Sequence, residues 1–205
     1  KIASSKGVVT VEEHKEMKQL PPLLYDLTEL QRDANKRFGF SAQKTLDIVQ
    51  RLYESRKLLT YPRTDSRYLP SDMVKHLSII VNAISVEPYS QFTSYLLKLK
   101  KLPVNPRIVN NAKVTDHYAL IPTPKRPDIE SLTSDEKKIY DLVVRRFLCV
   151  FYPSSIWEGV FRITEIKGEK FKTEAKILKK EGWLSLYGKE VEEEKLPSVS
   201  IGEEV

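Results

Sequence analysis

The hydrophobic pattern of this chain changes period twice, and that change constrains the fold more than any other feature. Near the start, Val8-Val9-Thr10-Val11 is β-branched, and the stretch to Leu20 stays strand-like until Pro21-Pro22 stops it. From Trp157 onward the period is two again. Trp157, Gly159, Phe161 and Ile163 alternate with Glu158, Val160, Arg162 and Thr164, and Phe171, Thr173 and Ala175 alternate with Lys170, Lys172, Glu174 and Lys176. Gly168 falls in the turn between the two runs, so the spacing predicts a β-hairpin. Between these ends the apolar residues recur at helical spacing. Thr28 with Gln31 reads as a capping box, with Gly39 as the stop. Ser41 caps a second helix that carries Leu46, Val49, Leu52 and Tyr53 on one face and ends near Lys57. A third follows Ser71 with Val74, Leu77, Val81 and Ile84 inward, and a fourth spans about Tyr89 to Leu99. Thr133 and Glu136 open the last helix, which ends before Pro153. Pro103 to Pro127 shows no period and reads as irregular.

Strands at both ends bury their apolar faces only if they meet in one sheet. The expected fold is therefore α+β: a discontinuous antiparallel β domain, residues 1–20 and 155–205, with an α-rich domain, residues 21–154, inserted into it. At 205 residues, 40% hydrophobic and 30% charged, the chain has the balance of a folded globular protein. No apolar run approaches the ~20 residues that span a bilayer, so no membrane partner is expected. Cys149 stands alone, which excludes an internal disulfide and a multi-cysteine zinc site. Three widely spaced His residues make a His-built metal centre a poor fit, and no metal ligand is assigned. Seven Gly residues include neither a dinucleotide-binding fingerprint nor a P-loop. The chain opens without Met, at Lys1, and is read as a piece of a longer polypeptide. Glu192-Glu193-Glu194 reads as a turn.

Charge is unevenly placed. Lys36 to Lys75 holds nine basic residues against four acidic ones, and Lys98 to Arg126 holds seven against Asp116 alone. Glu181 to Val205 holds seven Glu and two Lys. A basic middle permits a polyanion there without identifying it.

The stretch Thr60-Tyr61-Pro62-Arg63-Thr64-Asp65-Ser66-Arg67-Tyr68 carries the chemistry. Pro62 pushes Tyr61 toward extended backbone, which projects Tyr61 and Arg63 to the same side. A guanidinium can grip a phosphate bidentately and favours phenolate over phenol, the help a tyrosine needs to act as a nucleophile. The same residues also fit a core tyrosine with a surface Arg63–Asp65 pair. A second cluster runs Thr115-Asp116-His117-Tyr118-Ala119-Leu120-Ile121-Pro122-Thr123, where His117 could donate a hydrogen bond to a phosphate oxygen or serve as a structural histidine. His14 and His76 read as structural.

Taken together, these segments resemble a known family. Leu59 to Leu69 is similar to the active-site tyrosine segment of the type IA DNA topoisomerases, and Asp116 to Thr123 to their downstream histidine segment. Leu23 to Gln31 and Arg37 to Ala42 resemble the stretch before the tyrosine, and Gly182-Trp183-Leu184 with Leu196-Pro197 and Gly202 the sheet that follows. The spelling is closest to the bacterial topoisomerase III branch. The resemblance implies that Tyr61 attacks single-stranded DNA to form a 5′-phosphotyrosine link without ATP, that Arg63 stabilises the phosphate charge, and that His117 holds a phosphate. It gives Asp65, Ser66 and Arg67 an orienting part at the DNA-binding surface, with Arg56, Lys57 and Arg67 as candidates for contacts to the DNA backbone. It implies a winged-helix-like core in the α-rich domain, an arch built from the flanking strands, and a cytoplasmic, nucleoid-associated enzyme. It also implies Mg²⁺ held by an upstream Toprim domain, which would be one of the remaining domains of the same polypeptide that act as partners. No Asp-x-Asp pair occurs in the chain to replace it, so this piece is expected to fold without relaxing DNA alone. The alternatives are a catalytically silent single-stranded nucleic-acid-binding module, and a tyrosine recombinase, which fits poorly because His117 follows Tyr61.

Overall fold

The computed structural model describes residues 5–188 and 196–205. The Glu192–Glu194 turn lies outside the described residues. Two compact units result: one from the residues up to Pro21 with those from Pro153 on, the other Pro22–Tyr152.

The first unit is an antiparallel sheet of β1 (Val8–Gln19), β2 (Ser155–Ile166) and β3 (Glu169–Lys180), in the order β1-β2-β3. The hairpin expected at Gly168 is present. Lys167 and Gly168 both have left-handed φ (53° and 82°), the backbone that a two-residue hairpin loop demands. The chain's last residues lie along the free edge of β1, where Gly7 and Val205 exchange two backbone hydrogen bonds of 2.9 Å. The face that is buried from Val160 onward is the one bearing Val160, Arg162 and Thr164, not the aromatic alternates. Arg162 can lie there because Glu12, its register partner on β1, accepts from Nε at 2.7 Å and from Nη2 at 3.0 Å, and the carbonyl of Pro197 accepts a further bond. Beyond β3, Gly182 packs so closely that a Cβ would sit 2.5 Å from the carbonyl oxygens of Pro153 and Ser154. This close turn brings Trp183 back to donate its indole N–H to the carbonyl of Gln19 at 3.0 Å.

The second unit contains α1 (Leu27–Phe38), α2 (Ala42–Glu54), α3 (Val74–Ala83), α4 (Ser90–Leu97) and α5 (Ser134–Cys149). α5 packs on α1 and α2, and α3 on α4. Ile139, Tyr140, Val143 and Phe147 of α5 meet Leu30, Ala34, Ile48, Val49 and Leu52 in a fully buried core. The Thr133–Glu136 capping box forms as expected, as does the Ser41 cap. The first cap differs. Asp26, not Thr28, closes α1, with its carboxylate accepting from the N–H of Glu29 at 2.7 Å. An anionic cap is favoured at a helix N-terminus, and Gln31 is diverted to the carbonyl of Ala42. α2 also ends sooner than expected, at Glu54, and the chain leaves it through Lys57 at φ 58°. That left-handed residue redirects the backbone so that Leu58 and Leu59 are buried at the base of the site.

Candidate nucleic-acid interface around Tyr61

The irregular stretches 58–70 and 108–123 are zipped to each other. Leu59 bridges Pro122 in antiparallel sense, the N–H of Thr60 donates to the carbonyl of Ile121 at 3.0 Å, and the N–H of Ala119 donates to the carbonyl of Tyr68 at 3.0 Å. Two threonines lock this pairing with their side chains. Thr60 Oγ1 donates to the carbonyl of Ala119 and accepts from the N–H of Ile121. Thr64 Oγ1 donates to the carbonyl of His117 at 3.0 Å and accepts from the N–H of Ser66. The backbone of His117 is thereby fixed from the tyrosine segment.

The result brings Tyr61 and His117 together, with ring centroids 4.1 Å apart. Tyr53, near the end of α2, also meets Tyr61, edge-on with ring centroids 5.6 Å apart. Burial along the tyrosine segment alternates as extended backbone requires: Pro62, Thr64 and Ser66 are buried, Arg63 and Asp65 are exposed, and Tyr61 is half-buried. Neither the Tyr61 hydroxyl, the Arg63 guanidinium nor the His117 ring hydrogen-bonds to another of the described residues. The Arg63–Asp65 pair does not form; Asp65 accepts instead from Thr115 Oγ1 at 2.7 Å.

The other expected contacts divide. Lys57 is exposed, with its ammonium 5.8 Å from the centre of the Tyr53 ring. Arg56 is held by Glu136 at 3.2 Å and by the carbonyl of Ser131. Burial raises the Glu136 carboxyl pKa, but the N–H and hydroxyl of Thr133 and the Arg56 cation outweigh that, so it stays below the usual carboxylate range. Arg67 donates to the carbonyl of Leu24 at 3.2 Å, and buried Ser66 donates to that of Lys113 at 2.9 Å. In this structure Arg56, Arg67 and Ser66 brace the fold beneath the site.

Tyr53 and Tyr118 line the site although the residue pattern gives neither a part in it. Tyr53 shares a helix face with Leu46, Val49 and Leu52, yet it is only half-buried and lines the hollow beside Tyr61. Tyr118 lines it too, and partial burial followed by the nearby Asp72 charge raises its phenol pKa. Their signal lay in adjacency: Tyr118 follows His117, and Tyr53 precedes the helix end that feeds the tyrosine segment. Among the described residues no group of three or more His, Cys, Asp or Glu is placed to hold a metal ion, so the Mg²⁺ implied above has no donor set in them. No helix among them is long and apolar enough to cross a membrane.

A phenol and an imidazole held with ring centroids 4.1 Å apart and planes tilted by 37°, with an exposed Arg63 two positions on from the tyrosine, coincide with a match to a DNA topoisomerase family model over residues 1–205. The chain belongs to the type IA DNA topoisomerase family. It is similar to DNA topoisomerase 3 of Bacillus subtilis (strain 168), 48% identical over 170 residues that cover 83% of this chain and 23% of the relative. It is also similar to DNA topoisomerase 3 of Bacillus licheniformis, 43% identical over 193 residues, 91% of this chain and 26% of that one. The full-length topoisomerase I of Thermotoga maritima shares the fold: TM-score 0.68 at 24% identity, over 98% of this chain and 32% of that structure. The chain thus spans about a quarter of the length of the curated relatives.

Proposed function

We propose that the chain is the tyrosine-bearing part of a topoisomerase that cuts and rejoins single-stranded DNA, with Tyr61 as the nucleophile. In this reading the Tyr61 hydroxyl oxygen bonds to a backbone phosphorus as the bond to the 3′ oxygen breaks. The phenol proton is lost and the leaving oxygen gains one, giving a 5′-phosphotyrosine and a free 3′-hydroxyl. The reverse attack restores the strand, and no ATP is consumed because the link conserves the ester. Arg63, exposed and without a partner among the described residues, grips the non-bridging oxygens, where charge grows. His117 donates a ring N–H to the same phosphate, and the exposed Lys57 lies where it can meet the backbone on one side. The helical unit serves as the tyrosine domain, with a winged-helix-like core, inserted into the strands of an arch. Mg²⁺ and the rest of the catalytic centre come from a Toprim domain of the same polypeptide.

One observation carries this reading: the rings of Tyr61 and His117, 56 positions apart, are brought to 4.1 Å between centroids with neither side chain hydrogen-bonded to another of the described residues. Both basic stretches also lie wholly in the unit that carries Tyr61, whereas the glutamate-rich end does not. The test is denaturant trapping of the full polypeptide on an end-labelled single strand. Wild type yields a covalent adduct that maps to Tyr61, and Tyr61→Phe yields none while still binding the oligonucleotide. An adduct that maps elsewhere overturns the assignment, and binding with no adduct in the wild type leaves a silent binding module.

A further inference from the structure

A hollow of about 360 Å³ opens beside Tyr61, lined by Tyr53, Leu59, Thr60, Tyr61, His117, Tyr118 and Thr123. We propose that it receives a nucleobase of the bound strand, within one nucleotide of the phosphate attacked by Tyr61, and holds it by stacking rather than by reading its edge. This rests on the assignment of Tyr61 as the nucleophile.

The lining selects the occupant. No charged side chain faces the hollow, so a phosphate is poorly matched and a flat aromatic group is well matched. The rings of Tyr53 and Tyr61 stand at 86° to each other, and His117 lies at 37° to Tyr61. Flat surfaces therefore meet at an angle, forming a notch. Leu59, 1% exposed, adds an apolar wall. Both threonine hydroxyls are already committed to the main chain. Thr60 bonds Ala119 and Ile121, and Thr123 donates to the carbonyl of Lys57 at 2.6 Å and accepts from the N–H of Lys125. With those hydroxyls spent, little of the lining can distinguish one base edge from another. The polar side-chain atoms left are the Tyr61 hydroxyl and the His117 ring, which the cleavage reading commits to the phosphate, and the phenols of Tyr53 and Tyr118, none hydrogen-bonded to another described residue. Cations stand outside the hollow rather than in it. Lys57 reaches over Tyr53, and the Lys125 ammonium donates to the carbonyl of Arg56 at 2.8 Å. That layout suits a nucleotide whose base enters and whose backbone stays outside. The tether completes the argument: a phosphate bonded to the Tyr61 oxygen keeps its neighbouring bases within reach of the hollow, of which Tyr61 is a wall.

The hollow carries a prediction separable from the chemistry. Single strands are made with one abasic nucleotide stepped through the positions around the cleavage point, and adduct at Tyr61 is quantified with the full-length enzyme. One position within a nucleotide of the cut should lower adduct at least about fivefold, the lower end of base–aromatic stacking. Tyr118→Leu and Tyr53→Leu should lower adduct on the intact strand by a similar factor and have little further effect on that abasic strand. Tyr118→Phe should restore it, and exchanging purine for pyrimidine there should matter less than removing the base. In Tyr61→Phe enzyme, 2-aminopurine at that position should lose fluorescence on binding, a readout without chemistry. Equal adduct from every abasic strand overturns the inference, as do variants that lose the same factor with and without the base, which would make the hollow a seat for another domain of the polypeptide. Both results leave Tyr61 as the nucleophile. Absence of adduct at Tyr61 on any strand instead removes the parent assignment, and the inference with it.

Discussion

At the scale of single residues, the site depends on side chains that do no chemistry. Thr64 is 4% exposed, and its hydroxyl joins the carbonyl of His117 to the N–H of Ser66. Thr64→Val keeps the shape and deletes both bonds. The expected cost is about 1–2 kcal/mol in stability. The larger consequence is geometric, because small misplacements of reacting groups cost ~10²-fold. Adduct formation should therefore fall tenfold or more while oligonucleotide affinity holds, and Thr64→Ser should recover most of it. A parallel loss of affinity and adduct would show that Thr64 only supports folding. Tyr61, Arg63 and His117 could be singled out through the resemblance of their two segments to family motifs, since residue types alone also fitted a core tyrosine and a structural histidine. Thr60 and Thr64 were not, since a threonine that bonds a distant carbonyl looks like any other threonine until the two segments are seen paired. The partner that Asp65 does take was equally hidden: Thr115, 50 positions away, donates to that carboxylate.

At the scale of elements, helix starts were easier to read than helix ends. Ser41 and Thr133 sit where their polar side chains reach the first free N–H groups, a purely local requirement. Asp26 and Thr28 both satisfied that local rule, and the anionic Asp26, whose carboxylate accepts from the N–H of Glu29, is the one that caps the helix. The exit of α2 is a tertiary decision. Lys57 takes a left-handed φ, which costs an L-residue about 1–2 kcal/mol, so that Leu58 and Leu59 can be buried. Glycine carries no such penalty, though it loses more entropy on folding. Lys57→Gly should thus be neutral to stabilising by about 0.5–1 kcal/mol in urea denaturation, and Lys57→Ala should show no gain, since Ala keeps the strain. A clear destabilisation by Gly would mean that the turn is not strained. Removing the Lys57 charge should weaken single-strand binding equally in both variants and flatten its salt dependence.

At the scale of the whole molecule, the switch from period two to helical period and back marked out a sheet drawn from both ends of the chain and a helical stretch between. Which face of that sheet is buried was not legible, because Arg162 violates the apolar pattern and is tolerated only through Glu12 on a strand about 150 residues away in sequence. That pair makes the sheet unit acid-sensitive in a defined direction. The hydrogen bonds from Arg162 are the main reason that the Glu12 carboxyl sits below the usual carboxylate range. A group whose folded pKa is depressed contributes its full stability above the unfolded value, and that contribution disappears as pH falls through the folded value. Stability of the sheet unit should therefore decline as pH drops from about 5 through the acid range. Glu12→Gln should cost about 1–3 kcal/mol near neutrality and remove this part of the decline. Both tryptophans, Trp157 and Trp183, lie in the sheet unit and all five α-helices in the other. Tryptophan emission during urea titration thus reports the sheet, and circular dichroism at 222 nm chiefly the helices. Glu12→Gln should lower the first midpoint, and lower it less at pH 4 than at pH 7, with little change in the second. An equal shift at both pH values would show that the Glu12 charge adds nothing beyond the shape of its side chain.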